Sequence, residues 1–407
     1  MPAEFKQSQM NIGTLGHVDH GKTTLTYAIT HNWTDVHSES VKRSMTIKLG
    51  YSDAVIRKCA GKDGYGAYTT GQDCGGSGSA EPVRRISILD APGHETLMAT
   101  AIAGSSIIDA VLFVIAATEP VPMPQTREHL MLINALGIRN AVIAQTKIDI
   151  VGKEAAKKNY EQIRNFIRGS TIEGADIVPV IANKNANVDA VLQEIAELPL
   201  PKRDTEADPI MYVARSFDVN RPGTEISGLK GGVVGGSIIR GKLKVGDEIE
   251  IRPGVSSKAK AKAAAAPEPI ITRVESLSAD RNQLDEAIAG GLIAIGTDLD
   301  PSLTKADALV GQVIGRAGRL PEAIRTLVID YEALNRDDLP KQGFRNEEPL
   351  LLGIGTGTNV GYIKNVKRNR LEIELKYPAC IDSNAKISML RNFSQRWRLS
   401  GYGVLAH

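Results

Sequence analysis

The sequence predicts an α/β domain, a mostly parallel sheet with helices on both faces, followed by two antiparallel β-barrel domains. Three observations predict it. Through the first two hundred residues, short β-branched runs alternate with longer helix-compatible segments. The stretch Leu198-Pro199-Leu200-Pro201-Lys202-Arg203-Asp204 then breaks that alternation with prolines and charges, as a linker does. Beyond it, strand-like runs follow one another between glycine turns, which is the texture of barrels.

The first domain, residues 1–204, has strand candidates at 10–15, 84–89, 111–116, 141–145 and 177–181. Helices are expected to start near Lys22, Glu95, Gln125, Lys153 and Asn187. The second domain, 205–320, has strand candidates at 211–217, 232–239, 244–251, 270–277 and 292–295. Within it, Ser256-Ser257-Lys258-Ala259-Lys260-Ala261-Lys262 reads as a flexible basic loop between two strands, with a nucleic-acid contact as the alternative. The third domain, 321–407, includes candidates at 350–354, 371–376 and 386–390.

A chain of 407 residues exceeds one ordinary core, in keeping with two to three domains. The apolar fraction of 42% is normal for a globular protein, and no run approaches the roughly 18 apolar residues of a membrane span. No membrane association is expected. Met1-Pro2-Ala3-Glu4-Phe5-Lys6 lacks the basic and apolar regions of a secretory signal, so the expected location is cytoplasmic. Only Cys59, Cys74 and Cys380 occur; no disulfide framework is expected, and a reducing compartment fits. A net charge of +2 neither demands nor excludes a nucleic-acid partner.

Gly16-His17-Val18-Asp19-His20-Gly21-Lys22-Thr23 has the glycine, four residues, glycine, lysine and threonine of a phosphate-binding loop, between a strand and a helix start. Backbone amides of Asp19, His20, Gly21, Lys22, Thr23 and Thr24 would line a concavity for the β-phosphate. Lys22 would neutralise β and γ oxygens, and the Thr23 hydroxyl would bind Mg2+. Asp90-Ala91-Pro92-Gly93-His94 follows a strand candidate, where the second phosphate-sensing loop of such a sheet lies. Asp90 would hold the metal through water, the Gly93 amide would approach the γ-phosphate, and His94 would orient or polarise the attacking water.

Thr146-Lys147-Ile148-Asp149 ends the fourth strand candidate and serves as a base-reading element. The Asp149 carboxylate accepts hydrogen bonds from the ring nitrogen and amino group of guanine, a donor pair that adenine lacks, so GTP and GDP are selected over ATP. Lys147 would lay its stem over the base. Asparagine is usual at the position of Thr146; the threonine loses an amide and keeps a hydroxyl to bond the neighbouring loop. Ala182 and Asn183 would support the guanine carbonyl through the backbone. Thr46, between the phosphate loop and Asp90, is the candidate switch threonine that binds Mg2+ only when the γ-phosphate is present.

With these motifs the chain closely resembles the gamma-subunit family of archaeal and eukaryotic translation initiation factor 2, translational GTPases of the elongation-factor-Tu-like superfamily. The resemblance runs from about Asn11 to Val404. Its discriminating stretches are Trp33-Thr34, His37-Ser38-Glu39, Thr46-Ile47-Lys48-Leu49-Gly50-Tyr51, Arg215-Ser216-Phe217-Asp218-Val219-Asn220-Arg221-Pro222-Gly223-Thr224, Leu229-Lys230-Gly231-Gly232-Val233 and Arg396-Trp397-Arg398-Leu399-Ser400-Gly401-Tyr402-Gly403. It implies a P-loop GTPase that, with GTP bound and joined to alpha and beta subunits, carries initiator methionyl-tRNA to the small ribosomal subunit. Hydrolysis then releases the factor. Without ribosomal or partner stimulation it is expected to be slow, because no arginine acting in cis stands in the loop. The resemblance also implies that Thr23 and Thr46 hold one Mg2+ and that Asp19 with the backbone of Ser44 holds a second.

This chain departs from the family at four places. Ser44 stands where glycine is usual, so a left-handed conformation there would be strained. Thr146 and Ile181 replace the usual asparagine and serine. Many archaeal members carry a four-cysteine zinc knuckle, whereas here the insert at about 58–82 keeps only Cys59 and Cys74, with Lys62 and Ser77 at the partner positions. Two thiolates do not make a structural zinc site, so zinc is not expected and residues 60–80 are expected to form a mobile loop. Two other readings stay open: an elongation-factor-type GTPase for another aminoacyl-tRNA, and a scaffold that binds nucleotide without cycling.

Overall fold

The computed structural model describes residues 5–34, 49–74, 78–93, 98–221, 223–225, 228–255, 267–340 and 342–406. They fall into two compact units, residues 1–101 with 108–201, and residues 102–107 with 202–407.

The first unit is organised by a seven-stranded sheet: β1 (Met10–Leu15), β2 (Gly50–Cys59), β3 (Tyr68–Thr69), β4 (Ala80–Asp90), β5 (Ala110–Ala116), β6 (Ala141–Thr146) and β7 (Asp176–Pro179). Their order is β3-β2-β4-β1-β5-β6-β7. From β4 to β7 every pairing is parallel, and β2 and β3 add an antiparallel edge. Among the described residues, five helices belong to this part of the chain: α1 (Lys22–Thr30), α2 (Met98–Gly104), α3 (Pro124–Leu136), α4 (Lys153–Ile167) and α5 (Val188–Glu197). The candidate start at Glu95 lies outside the described residues.

Alternation along β5 shows why helices are needed on both faces. Ala110, Leu112 and Val114 enter a core with Leu25 and Ile29 of α1 and Val188, Val191, Leu192 and Ile195 of α5. Val111, Phe113 and Ile115 enter the opposite core with Leu130 and Ile133 of α3 and Ile163 and Ile167 of α4. Helical spacing on α5, with apolar residues three and four apart, supplies the matching stripe.

Two expectations need correcting at the sheet edge. The insert is not merely a loose loop. Arg57 and Lys58 of β2 pair with Thr69 and Tyr68 of β3, the Cys59 amide donates to the Ala67 carbonyl at 2.7 Å, and the Ala67 side chain is fully buried. Cys59 and Cys74 also form a disulfide, against the expectation of none. Neighbouring strands bring the two cysteines together although fifteen positions separate them.

The second unit contains two closed antiparallel barrels. The first uses β8 (Ile210–Phe217), β9 (Val233–Arg240), β11 (Glu248–Val255), β12 (Glu268–Ala279), β15 (Ile293–Thr297) and β16 (Val313–Arg316), closed by the β11–β12 pairing. Short strands β10 (Lys242–Lys244), β13 (Asn282–Leu284) and β14 (Glu286–Ile288) cover its margin. The second barrel runs β17 (Ala323–Ala333), β20 (Arg370–Cys380), β19 (Gly357–Lys367), β18 (Pro349–Ile354), β21 (Ile387–Phe393) and β22 (Arg396–Leu405), with β22 returning to β17. Closure pairs each of the six main strands of both barrels on two sides. A bidentate contact of Arg240 with Asp382, 2.9 Å at its shorter leg, links the barrels. The basic segment at 256–262 lies outside the described residues.

Candidate functional site

Strands β1, β4 and β6 are parallel, so their carboxyl ends emerge along one edge of the sheet, where open α/β folds place their ligand sites. β1 ends at Leu15 and α1 begins at Lys22. In the intervening loop Gly16 has φ +148°, and a Cβ there would lie 2.2 Å from the Val114 carbonyl oxygen, so only glycine passes. Asp19 and Gly21 are left-handed, with φ of 60° and 88°. Such turns curl the backbone into an amide-lined concavity at the positive end of a helix, a ready site for anions.

Lys22 is buried behind this loop. Its ammonium donates to the Gly16 carbonyl at 3.1 Å and the His17 carbonyl at 2.7 Å. Desolvation draws its pKa down to about 8, against the pull of Asp90 and Asp19. Asp90, at the end of β4, is fully buried and accepts hydroxyl donations from Thr23 at 2.7 Å, Thr14 at 2.8 Å and Thr34 at 2.9 Å. Burial raises its pKa, opposed chiefly by the Thr23 hydrogen bond and the Lys22 charge. Gly93 lies directly on the loop, since a Cβ there would sit 2.4 Å from Lys22 Nζ and 2.9 Å from the Val18 amide nitrogen. The structure thus brings Lys22, Thr23, Asp90 and Gly93 together.

At the other end of the same edge, the Thr146 hydroxyl donates to the His20 carbonyl at 2.7 Å, so β6 props the loop from below. Lys147 has φ 58°. The Asp149 carboxylate accepts from the Lys184 ammonium at 2.8 Å, and that bond holds its pKa below the usual carboxylate range. Residues 182–184 form a 3-10 turn whose Ala182 packs against the core shared with α1. Asn183 sits in this turn, next in the chain to Lys184, the partner of Asp149.

Three candidate residues, His94, Ser44 and Thr46, lie outside the described residues. Two buried histidines, by contrast, have side-chain roles that motif spacing did not reveal. The His20 ring, named above for its amide alone, donates from Nδ1 to the Val114 carbonyl at 3.1 Å and meets Glu119 through Nε2 at 3.1 Å. Burial draws its pKa below the ordinary value, with the Val114 carbonyl and Glu119 opposing. His129 of α3 accepts the Gly16 amide on Nδ1 at 3.1 Å. The usable signal was helical spacing: Gln125 and His129, four apart, are polar residues on the buried face of α3.

Comparison with known proteins follows the same division of the chain. The family described as elongation factor Tu GTP binding domain matches residues 7–200, elongation factor Tu domain 2 matches 231–315, and initiation factor eIF2 gamma, C terminal, matches 326–405. The chain is 50% identical over 406 residues to translation initiation factor 2 subunit gamma of Methanococcus vannielii, covering 98% of each chain. It is 48% identical over 409 residues to the same subunit of Methanocaldococcus jannaschii, covering 99% of this chain and 98% of the relative. Among solved structures, bacterial selenocysteine-specific elongation factor EF-Sec superposes with a TM-score of 0.75 at 24% identity, over 98% of this chain and 58% of that one. That likeness speaks for the fold alone. Full-length identity near one half does more: the chain belongs to the translation initiation factor 2 gamma-subunit family and is a translational GTPase.

Proposed function

We propose that this chain, with GTP bound and joined to alpha and beta subunits, carries initiator methionyl-tRNA to the small ribosomal subunit and is released after hydrolysis. The observation that carries the reading is full-length similarity to translation initiation factor 2 subunit gamma, through both barrels as well as the GTPase domain. The domain limits 1–204, 205–320 and 321–407 are proposed with it.

Within this reading the loop residues Asp19, His20, Gly21, Lys22, Thr23 and Thr24 hold the phosphates. Asp149, Lys147 and Thr146, with the backbone of Ala182 and Asn183, hold guanine. The bond from Lys184 to Asp149 brings the carboxylate together with the turn that holds Ala182 and Asn183, which supports this reading. Thr23 and Asp90 fit a magnesium ion: they are hard oxygen donors already in contact at the mouth of the loop. When bound, magnesium neutralises charge on the phosphate oxygens. Thr46 would join Thr23 on that ion, Asp19 and the Ser44 carbonyl would take a second, and Gly93 and His94 would sense the γ-phosphate and orient water. No zinc is assigned to the insert, where the two cysteine sulfurs bond each other.

The test is retention of labelled initiator methionyl-tRNA on a filter by the chain mixed with an alpha subunit. Retention with a non-hydrolysable GTP analogue should far exceed retention with GDP. Equal retention in the two states sinks the switch reading, and preference for an elongator tRNA transfers the chain to a different delivery role. His94→Ala should slow stimulated hydrolysis with GTP affinity nearly unchanged; hydrolysis at the parent rate removes His94 from the mechanism.

A further inference from the structure

The peptide of Gly16 is held from both sides. Its carbonyl accepts from Lys22 Nζ at 3.1 Å, and its amide donates to His129 Nδ1 at 3.1 Å. The Lys22 ammonium, a three-donor group, also has a nucleotide's phosphates to meet. His129 has no second partner to meet among the described residues, so its bond can persist with and without nucleotide.

His129 is fully buried on α3, whose Leu130 and Ile133 are embedded in the sheet core, so the imidazole is anchored on a rigid element. To accept on Nδ1, a neutral ring must carry its proton on Nε2. That nitrogen is buried with no hydrogen-bond partner among the described residues. A buried unpaired donor is a cost that an apolar side chain of similar size would avoid. Packing alone therefore does not account for a histidine here, whereas the Gly16 amide does. Desolvation, with Lys22, His17 and His20 nearby, holds the ring neutral by drawing its pKa down to about 3, so the acceptor is available at any working pH.

We propose that His129 is a positioning residue for the phosphate loop: by accepting the Gly16 amide it fixes the loop's first residue in its sterically demanding conformation and lengthens the residence of bound nucleotide. The inference rests on the reading of residues 16–23 as the phosphate cradle. Gly16 admits no Cβ against the Val114 carbonyl, so its peptide has little room to shift without losing this contact.

The test uses the full chain in millimolar Mg2+ and follows release of fluorescently labelled GDP on chasing with unlabelled GDP, for His129→Asn, His129→Gln, His129→Leu and His129→Ala. Asparagine offers a carbonyl oxygen near the position of Nδ1, glutamine offers one near Nε2, and leucine has asparagine's shape without an acceptor. Release should accelerate about tenfold in the Leu, Gln and Ala variants and stay within about threefold of the parent in Asn. Melting temperature should fall in all four, so loss of packing alone cannot produce this split. If Ala or Gln fails to fold, the Asn and Leu pair still decides. Equal release from Asn and Leu, or parent-like release from all variants, overturns the proposal. Lys22→Ala is the control for the cradle itself: parent-like GDP binding by that variant removes the cradle reading, while its loss of binding beside unaffected His129 variants removes the positioning role alone.

Discussion

The two ends of the nucleotide edge are built on opposite principles. The Lys22 and Asp90 charges are both buried and met by several fixed donors or acceptors: three threonine hydroxyls on one carboxylate and two carbonyls on one ammonium. Around Asp149, a partly exposed carboxylate is held by one lysine whose side chain is 63% exposed. Burial makes the first end rigid and intolerant, because an unmatched polar group there cannot turn to water. Solvent screens the second, so its ion pair is worth less than the buried contacts of the first.

This contrast can be broken or sharpened by experiment. The largest effect should follow Lys22→Ala, which removes the only described ammonium touching the loop and should weaken GDP at least about 100-fold in a fluorescence titration. A loss under fivefold would put the phosphate end on a par with the base end and remove the distinction. Asp149→Asn should weaken GTP by about tenfold to thirtyfold. It should also raise affinity for xanthosine triphosphate, whose base has an acceptor where guanine has an amino group. Unchanged preference between the two nucleotides would mean that Asp149 does not read the base.

Thr146→Val probes the hinge between the two ends. It leaves the His20 carbonyl without its buried donor, which should cost about 1–3 kcal/mol of stability and speed GDP release a few-fold. Unfolding in urea and a release assay check both parts, and an unaltered protein would show that β6 does not prop the loop.

The smallest effect on nucleotide is expected from the cysteines. Cys380 is buried and its thiol is pushed up to about 12 by desolvation, so at pH 8 roughly one thiol in ten thousand is ionised. The folded, unreduced chain should therefore react with a thiol reagent hardly at all, and after reduction Cys59 and Cys74 should supply the reactive groups while GDP affinity stays within about twofold. Rapid labelling before reduction would show that the pair does not form in solution.

Much of the phosphate end was legible because its chemistry is local. Gly16, Gly21, Lys22 and Thr23 lie in one loop, and Asp90 and Gly93 lie in a second, each at a strand end that the alternation of residues already marked. The insert was misread for the opposite reason. Counting cysteines spoke only to the lack of a four-cysteine set, whereas the pairing of Cys59 with Cys74 depends on β2, β3 and the buried Ala67 forming an ordered edge. His129 was missed because its partner is 113 positions away in the chain.

By itself, the sequence determined the alternation of the parallel strands with their helices, the glycine-lysine-threonine loop between β1 and α1 and the family, because each is written in spacing within a short segment or in similarity along the whole chain; the edge strands β2 and β3 were not among its strand candidates. Only tertiary structure decided that Lys22 rests on the Gly16 and His17 carbonyls, that three threonines crowd Asp90, and that a buried imidazole holds the loop's first amide. Those facts depend on which strands lie side by side and on what is excluded from water between them. Burial converts such ordinary residue types into a single fixed arrangement.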